Sequence, residues 1–113
     1  MVLEAKEYDG GTLATIQIRE ANLTKADGFK EEMVALIEQS NKYIIVDFSN
    51  VIYVDSSFLG ALVSSLKLAI AHQAEIVVCC LNKDILNLFQ LIRLDKAFKI
   101  YGNPGEAADN RVK

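Results

Sequence analysis

The fold is decided by the segment Ile44-Ile45-Val46-Asp47-Phe48-Ser49-Asn50-Val51-Ile52-Tyr53-Val54-Asp55-Ser56-Ser57-Phe58-Leu59-Gly60. The apolar run from Tyr43 to Phe48 shows almost no alternation, which is typical of a strand covered on both faces. From Ser56 to Ala71 the apolar residues recur at helical spacing, which predicts a helix. The Asp55-Ser56 step lies at the junction, so we expect the Ser56 hydroxyl at the positive end of this helix.

The residues before this segment predict a hairpin followed by a helix. The turn Asp9-Gly10-Gly11 separates a strand at Leu3–Tyr8 from an alternating strand at Thr12–Arg19. Thr24 is a candidate cap for the helix, whose apolar residues follow at helical spacing: Ala26, Phe29, Met33, Leu36 and Ile37.

The residues after the segment predict a further strand and helix. Glu75–Leu81 is a second buried strand, and Asn82 caps a helix that carries Ile85, Leu88, Phe89 and Ile92. Phe98–Tyr101 is a weak edge strand, and the turn at Asn103 leads into a short terminal helix that frays from Asn110 to Lys113. The alternation predicts a single α/β domain over residues 1–113, with a mixed β-sheet, an N-terminal hairpin and helices packed mainly on one face.

Composition excludes several classes of function. A net charge of -3 argues against direct nucleic-acid binding, which needs clustered Lys and Arg. The apolar runs are too short to span a bilayer and no signal peptide is visible, so we expect a cytoplasmic protein without membrane contact.

The cysteines and the single histidine predict no metal or cofactor site. No second soft ligand lies near His72 in the sequence, which argues against zinc. Cys79 and Cys80 are neighbours in a predicted strand, where their side chains point to opposite faces, so a bond between them is not expected.

The Asp55-Ser56-Ser57 site has a purely structural interpretation, in which Asp55 caps the helix and the serines only occupy its first turn. Two catalytic interpretations fail. A phosphate-binding loop needs preceding glycines and a following lysine. A nucleophilic serine needs a base, and the only histidine, His72, lies beyond the far end of the same helix.

The segment Ile44–Gly60 resembles the signature of the STAS domain, the fold shared by anti-sigma-factor antagonists and the cytoplasmic tails of sulfate transporters. In the bacterial antagonists, an apolar strand leads through a short loop to Asp-Ser-Ser/Thr-Gly-Leu-Gly. The strand Ile76–Cys80 and the pair Leu88-Phe89 also match. Phe58 departs from the pattern because it replaces the usual glycine.

The resemblance implies a non-enzymatic switch. The phosphorylated serine of the family falls on Ser56, with Asp55 and Ser57 beside it, and Asn22 takes the place of a frequent acidic residue after the second strand. The implied partners are an anti-sigma-factor serine kinase, which binds the unphosphorylated protein and releases it after phosphorylation, and a serine phosphatase that resets it. This cycle regulates transcription that depends on a sigma factor.

Two alternatives remain open at this stage. Instead of a switch, the domain could be a module that binds a small ligand, nucleotide or lipid in a polar cleft beside Asn22 and Ser56. It could also be a structural subunit of a STAS assembly in which Ser56 is never modified.

A second stripe on the Ser56–Ala71 helix, formed by Phe58, Ala61, Ser65 and Leu68, runs beside its core stripe. We expect it to be an exposed apolar ridge that binds a partner or, in a homodimer, a second copy of the chain. The alternative is a helix buried on two sides.

Overall fold

The computed structural model describes residues 1–111. Its strands, in chain order, are β1 (Leu3–Tyr8), β2 (Gly11–Ile16), β3 (Glu20–Ala21), β4 (Tyr43–Asp47), β5 (Tyr53–Val54), β6 (Glu75–Cys79) and β7 (Ile100–Tyr101). Its helices are α1 (Leu23–Glu38), α2 (Ser56–Ala71), α3 (Lys83–Leu91) and α4 (Pro104–Asp109), with a short 3-10 helix at Leu94–Lys96.

The main sheet has five strands in the order β1-β2-β4-β6-β7. β1 pairs antiparallel with β2 as the predicted hairpin, and β2, β4, β6 and β7 run parallel. Helices α1, α2 and α3 supply the three crossover connections. A separate parallel pair, β3 with β5, lies in the segments just before α1 and α2.

Two hydrophobic clusters cover the two faces of the sheet. The larger cluster joins one face to α1, α2 and α3 through residues such as Phe29, Leu62 and Phe89. The smaller one packs Ala107 and Ala108 of α4 against the other face. All five residues of β4 are buried because both faces are covered, which confirms the prediction from the unbroken apolar run.

The predicted fold class is confirmed, and several boundaries are corrected. β2 ends at Ile16 instead of Arg19. Helix α1 begins one residue after Asn22, whose side chain accepts a hydrogen bond from the Thr24 amide, so Asn22 and not Thr24 is its cap. Of the predicted frayed terminus, Val112 and Lys113 lie outside the described residues.

Candidate functional site

Asp55 holds the first turns of two helices together. Its backbone is extended, and its Oδ1 atom accepts a hydrogen bond from the Phe58 amide at 3.0 Å, which caps α2. Its Oδ2 atom accepts a hydrogen bond from the Leu23 amide, the first residue of α1, at 2.9 Å. One carboxylate therefore accepts hydrogen bonds from otherwise unpaired amides at the amino ends of both α1 and α2. The helix dipoles favour its negative charge at both ends.

The backbone fixes Asp55 in this position. The Asp55 amide donates to the Ala21 carbonyl oxygen at 3.0 Å, at the end of the β3–β5 pair. The amides of Ile52 and Tyr53 both donate to the Arg19 carbonyl oxygen, at 2.8 and 3.2 Å. The segment before α2 is therefore hydrogen-bonded to the segment before α1 from Ile52 to Asp55.

The structure brings the predicted switch residues together. Ser56 is the first residue of α2 and is exposed, Ser57 is half-buried, and Asp55 precedes them as the cap. Asn22 precedes α1, next to Leu23, whose amide Asp55 binds. Its amide oxygen is occupied by local bonds, because it accepts from the Thr24 amide at 3.1 Å and from the Thr24 hydroxyl at 2.6 Å.

The predicted exposed ridge on α2 is wrong. Phe58 and Ser65 are completely buried, Ala61 is almost completely buried, and Leu68 is half-buried against the main core. The reason is that α2 packs against both the sheet and α1, so two adjacent faces of the helix are covered. The Ser65 hydroxyl is satisfied within the helix by donating to the Ala61 carbonyl oxygen at 2.8 Å.

Phe58 belongs to the interface between α1 and α2. Its ring centroid lies 4.4 Å from that of Phe29. The ring therefore contributes to the fold, and the argument for a partner or a second copy that covers an exposed Phe58 fails.

A different apolar surface, which the sequence analysis missed, lies on the segments at the starts of α1 and α2. Leu23, Ile52 and Tyr53 are 67%, 53% and 54% exposed. All three belong to the segments that are hydrogen-bonded around Asp55, as described above. The sequence analysis gave these residues no role, although Leu23 begins α1 and Ile52 and Tyr53 lie shortly before the start of α2.

The structure also brings together three side chains that the sequence analysis kept apart. Asp47 pairs with Cys79 in the register of β4 and β6. Cys80 has a φ of 65°, and its Sγ atom lies 3.5 Å from that of Cys79. The expectation that the two thiols point to opposite faces is wrong because Cys80 lies just beyond the end of β6, where the regular alternation stops. Burial is the main cause that raises the pKa of both thiols.

Ser56 has no histidine partner in this fold. His72 caps the carboxyl end of the 16-residue helix α2, which is about 24 Å long at ~1.5 Å per residue. The arrangement at Ser56 therefore offers an accessible hydroxyl, with a capping carboxylate and two converging helix ends. A phosphoryl group on this hydroxyl would lie at the amino end of a helix, where free amides and the helix dipole favour an anion.

The comparisons with known proteins give a consistent result. The STAS domain profile matches residues 12–107. Among solved structures, a putative anti-sigma factor antagonist from Thermotoga maritima superposes with a TM-score of 0.87 at 24% identity, covering 95% of this chain and 92% of that one. An anti-sigma-factor antagonist (STAS) domain protein from Planctomyces limnophilus gives 0.86 at 16% identity, covering 94% of each chain.

The Bacillus cell fate determinant SpoIIAA, in its phosphorylated form, gives a TM-score of 0.72 at 16% identity and covers 95% of this chain and 96% of that one. At these identities the superpositions show a shared fold. In the described part of the chain, no helix combines the length and the apolarity that crossing a membrane requires.

Proposed function

This chain belongs to the STAS domain family, and we propose that it is an anti-sigma-factor antagonist whose binding to a protein partner is switched by phosphorylation of Ser56. The observation that carries the proposal is the exposure of Ser56 on the first turn of α2, directly after the carboxylate that joins the starts of α1 and α2. The protein acts by binding and not by catalysis.

The partners that this function requires are an anti-sigma-factor serine kinase and a serine phosphatase. The kinase binds the protein while Ser56 is unmodified, transfers a phosphoryl group from ATP to the Ser56 hydroxyl and then releases it. Hydrolysis by the phosphatase restores the hydroxyl. Since the cycle consumes ATP and controls a sigma factor, we place it in the cytoplasm.

The surface around Ser56 has the properties of a partner interface. Leu23, Ile52 and Tyr53 provide exposed apolar area on the segments that are hydrogen-bonded around Asp55, the residue before Ser56. Aromatic side chains such as that of Tyr53 are enriched at the centre of protein interfaces and among the residues that contribute most to binding. A partner that covers them also covers Ser56.

Phosphorylation would change this surface without unfolding the domain. It adds about -1.5 to -2 charges, and the amino end of a helix accommodates an anion through its free amides. The partner must then desolvate a dianion beside Asp55. A loss of ~3 kcal/mol of binding free energy weakens a complex by more than about a hundredfold.

Ligand binding in a cleft beside Asn22 and Ser56 has less support. The structure shows open clefts of about 1060 and 650 Å³ elsewhere, and neither is lined by Asn22 or Ser56. The larger one lies at Gly11, Tyr43 and Glu75, where β2, β4 and β6 begin, whereas Ser56 follows the loop at the far end of β4.

The test is a phosphorylation assay with ATP and the anti-sigma kinase encoded nearest to the gene, with the modified site located by mass spectrometry. We expect the wild type and Ser57→Ala to be phosphorylated on residue 56, and Ser56→Ala to stay unmodified. In a binding titration, Ser56→Asp should bind the kinase more than about a hundredfold more weakly than Ser56→Ala, while both melt within a few degrees of the wild type.

Ser57→Ala is the matched control because it removes a neighbouring hydroxyl from the same helical turn. Phosphate on Ser57 in the Ser56→Ala variant, with regulated binding retained, would contradict the assignment. A wild type that is bound but never modified would instead identify a structural subunit.

A further inference from the structure

Asp47, Cys79 and Cys80 form a compact cluster at the carboxyl ends of β4 and β6. One carboxylate oxygen of Asp47 and the two Sγ atoms all lie within 4.8 Å of one another. Asp47 and Cys79 are adjacent across the parallel register, and the left-handed backbone of Cys80 places the second thiol beside the first.

The geometry of the two thiols matches that of a metal chelate. Two sulfur ligands of a tetrahedral zinc ion at ~2.3 Å are about 3.8 Å apart, and the Sγ atoms of Cys79 and Cys80 are 3.5 Å apart. A left-handed conformation is uncommon for a residue other than glycine, asparagine or aspartate. At Cys80 it brings together two soft ligands that an extended strand would separate.

The third group completes a mixed ligand set. Asp47 is buried, with 7% of its surface exposed, and its Oδ1 atom accepts a hydrogen bond from the Ser49 amide at 2.8 Å. This bond fixes the orientation of the carboxylate, as outer hydrogen bonds do for metal-binding carboxylates. Cys80 is only half-buried, which gives the cluster an opening to solvent.

We propose that Asp47, Cys79 and Cys80 bind a thiophilic divalent cation, with Zn²⁺ as the representative ion and a water molecule as the fourth ligand. Both thiols bind as thiolates, so each releases its proton when the metal enters. Together with the carboxylate they supply three protein ligands, a number that leaves one position of a zinc tetrahedron open. The site shares no residue with the proposed switch and does not depend on it.

The test is a titration of the tag-free, reduced 113-residue chain with Co²⁺ as a spectroscopic substitute for Zn²⁺. We expect one equivalent to produce a thiolate-to-cobalt charge-transfer band and the intense visible bands of tetrahedral cobalt, and Zn²⁺ to displace it. The sequence contains two cysteines and one histidine, so a thiolate band can only come from Cys79 and Cys80.

Three variants locate the site. Cys80→Ser, at the less buried thiol, and Asp47→Asn, which keeps the acceptor for the Ser49 amide, should each weaken cobalt binding by at least about tenfold. His72→Gln, at the far end of α2, is the control and should bind as the wild type does. Circular dichroism establishes that each variant is folded.

Two results would overturn the proposal. The first is a folded, fully reduced wild type that shows no charge-transfer band at a tenfold excess of Co²⁺. The second is a band that Cys80→Ser and Asp47→Asn leave unchanged, or that His72→Gln abolishes.

Discussion

The ring of Phe58 occupies the interface between α1 and α2, in contact with Phe29. Removing a buried aromatic side chain costs its transfer free energy and leaves a cavity. We expect Phe58→Ala to lower the free energy of unfolding by about 3 to 5 kcal/mol, measured by urea denaturation.

Ile70→Ala is the control for Phe58→Ala because Ile70 lies on the same helix and is 64% exposed. It should change the free energy of unfolding by less than about 0.5 kcal/mol. Equal effects of the two substitutions would mean that the Phe58 ring is not part of the core.

Residues differ in how far the sequence determines their roles. The capping by Asp55 follows from a local rule, since the free amides in the first turn of a helix need an acceptor. The second bond of Asp55 joins residues 32 positions apart. No local pattern reveals it, and the same is true of the contact between Phe29 and Phe58.

Helix α2 was predicted with both of its boundaries, yet its exposure was misjudged. Helical periodicity gives the direction of each side chain relative to the others, but not the number of neighbours that the helix packs against. The two-residue strands β3 and β5 escaped prediction for a related reason. They exist only through mutual hydrogen bonds between segments that are distant in the chain.

Gly60 lies on the exposed face of α2, one turn after Ser56. A Cβ atom added there would meet nothing within 4 Å, and Ala is favoured over Gly in a helix interior by about 1 kcal/mol. We expect Gly60→Ala to raise the free energy of unfolding by roughly that amount, measured by chemical denaturation.

Gly10→Ala is the matched control for Gly60→Ala. Gly10 has a φ of +84° in the β1–β2 turn, a conformation that costs an alanine about 1 to 2 kcal/mol. This variant should be less stable than the wild type. Stabilisation by both substitutions would refute the assignment of Gly10 to a left-handed turn.

At the scale of the whole molecule, Tyr43 connects α4 to the sheet. Its hydroxyl donates a hydrogen bond to the Ala107 carbonyl oxygen at 2.7 Å. Burial, the largest cause, raises the pKa of Tyr43 from 10.0 to about 12. The folded state thus disfavours the phenolate more than the unfolded state does.

This shift has a defined effect on stability. The contribution of Tyr43 is complete below pH 10, its unfolded value, and is lost as the pH rises towards about 12. We expect the free energy of unfolding to fall more steeply between these values in the wild type than in Tyr43→Phe, measured by urea denaturation at each pH. The buried thiols contribute equally to both proteins, so parallel curves would exclude Tyr43 as the cause.

The order of elements and the main core were predictable because long apolar runs and apolar residues at helical spacing can be recognised directly in the sequence. The position of α4 was not. Its buried apolar residues Ala107 and Ala108 are too few to give a helical periodicity in the sequence. Their packing against the second face of the sheet is visible only in the structure.

The order of the main sheet has a consequence for the synthesis of the chain. Each strand of the main sheet pairs with the strand of that sheet that comes before it in the sequence. The sheet can therefore form strand by strand as the chain is translated. Corresponding positions of β4 and β6 are 32 residues apart, as Tyr43 and Glu75 are. Translation of this stretch takes ~2 to 6 seconds at about 5 to 20 residues per second. During that interval β4, whose five residues are all buried in the complete fold, has one unpaired edge, and a nascent chain at this stage is the form most exposed to aggregation and to capture by chaperones.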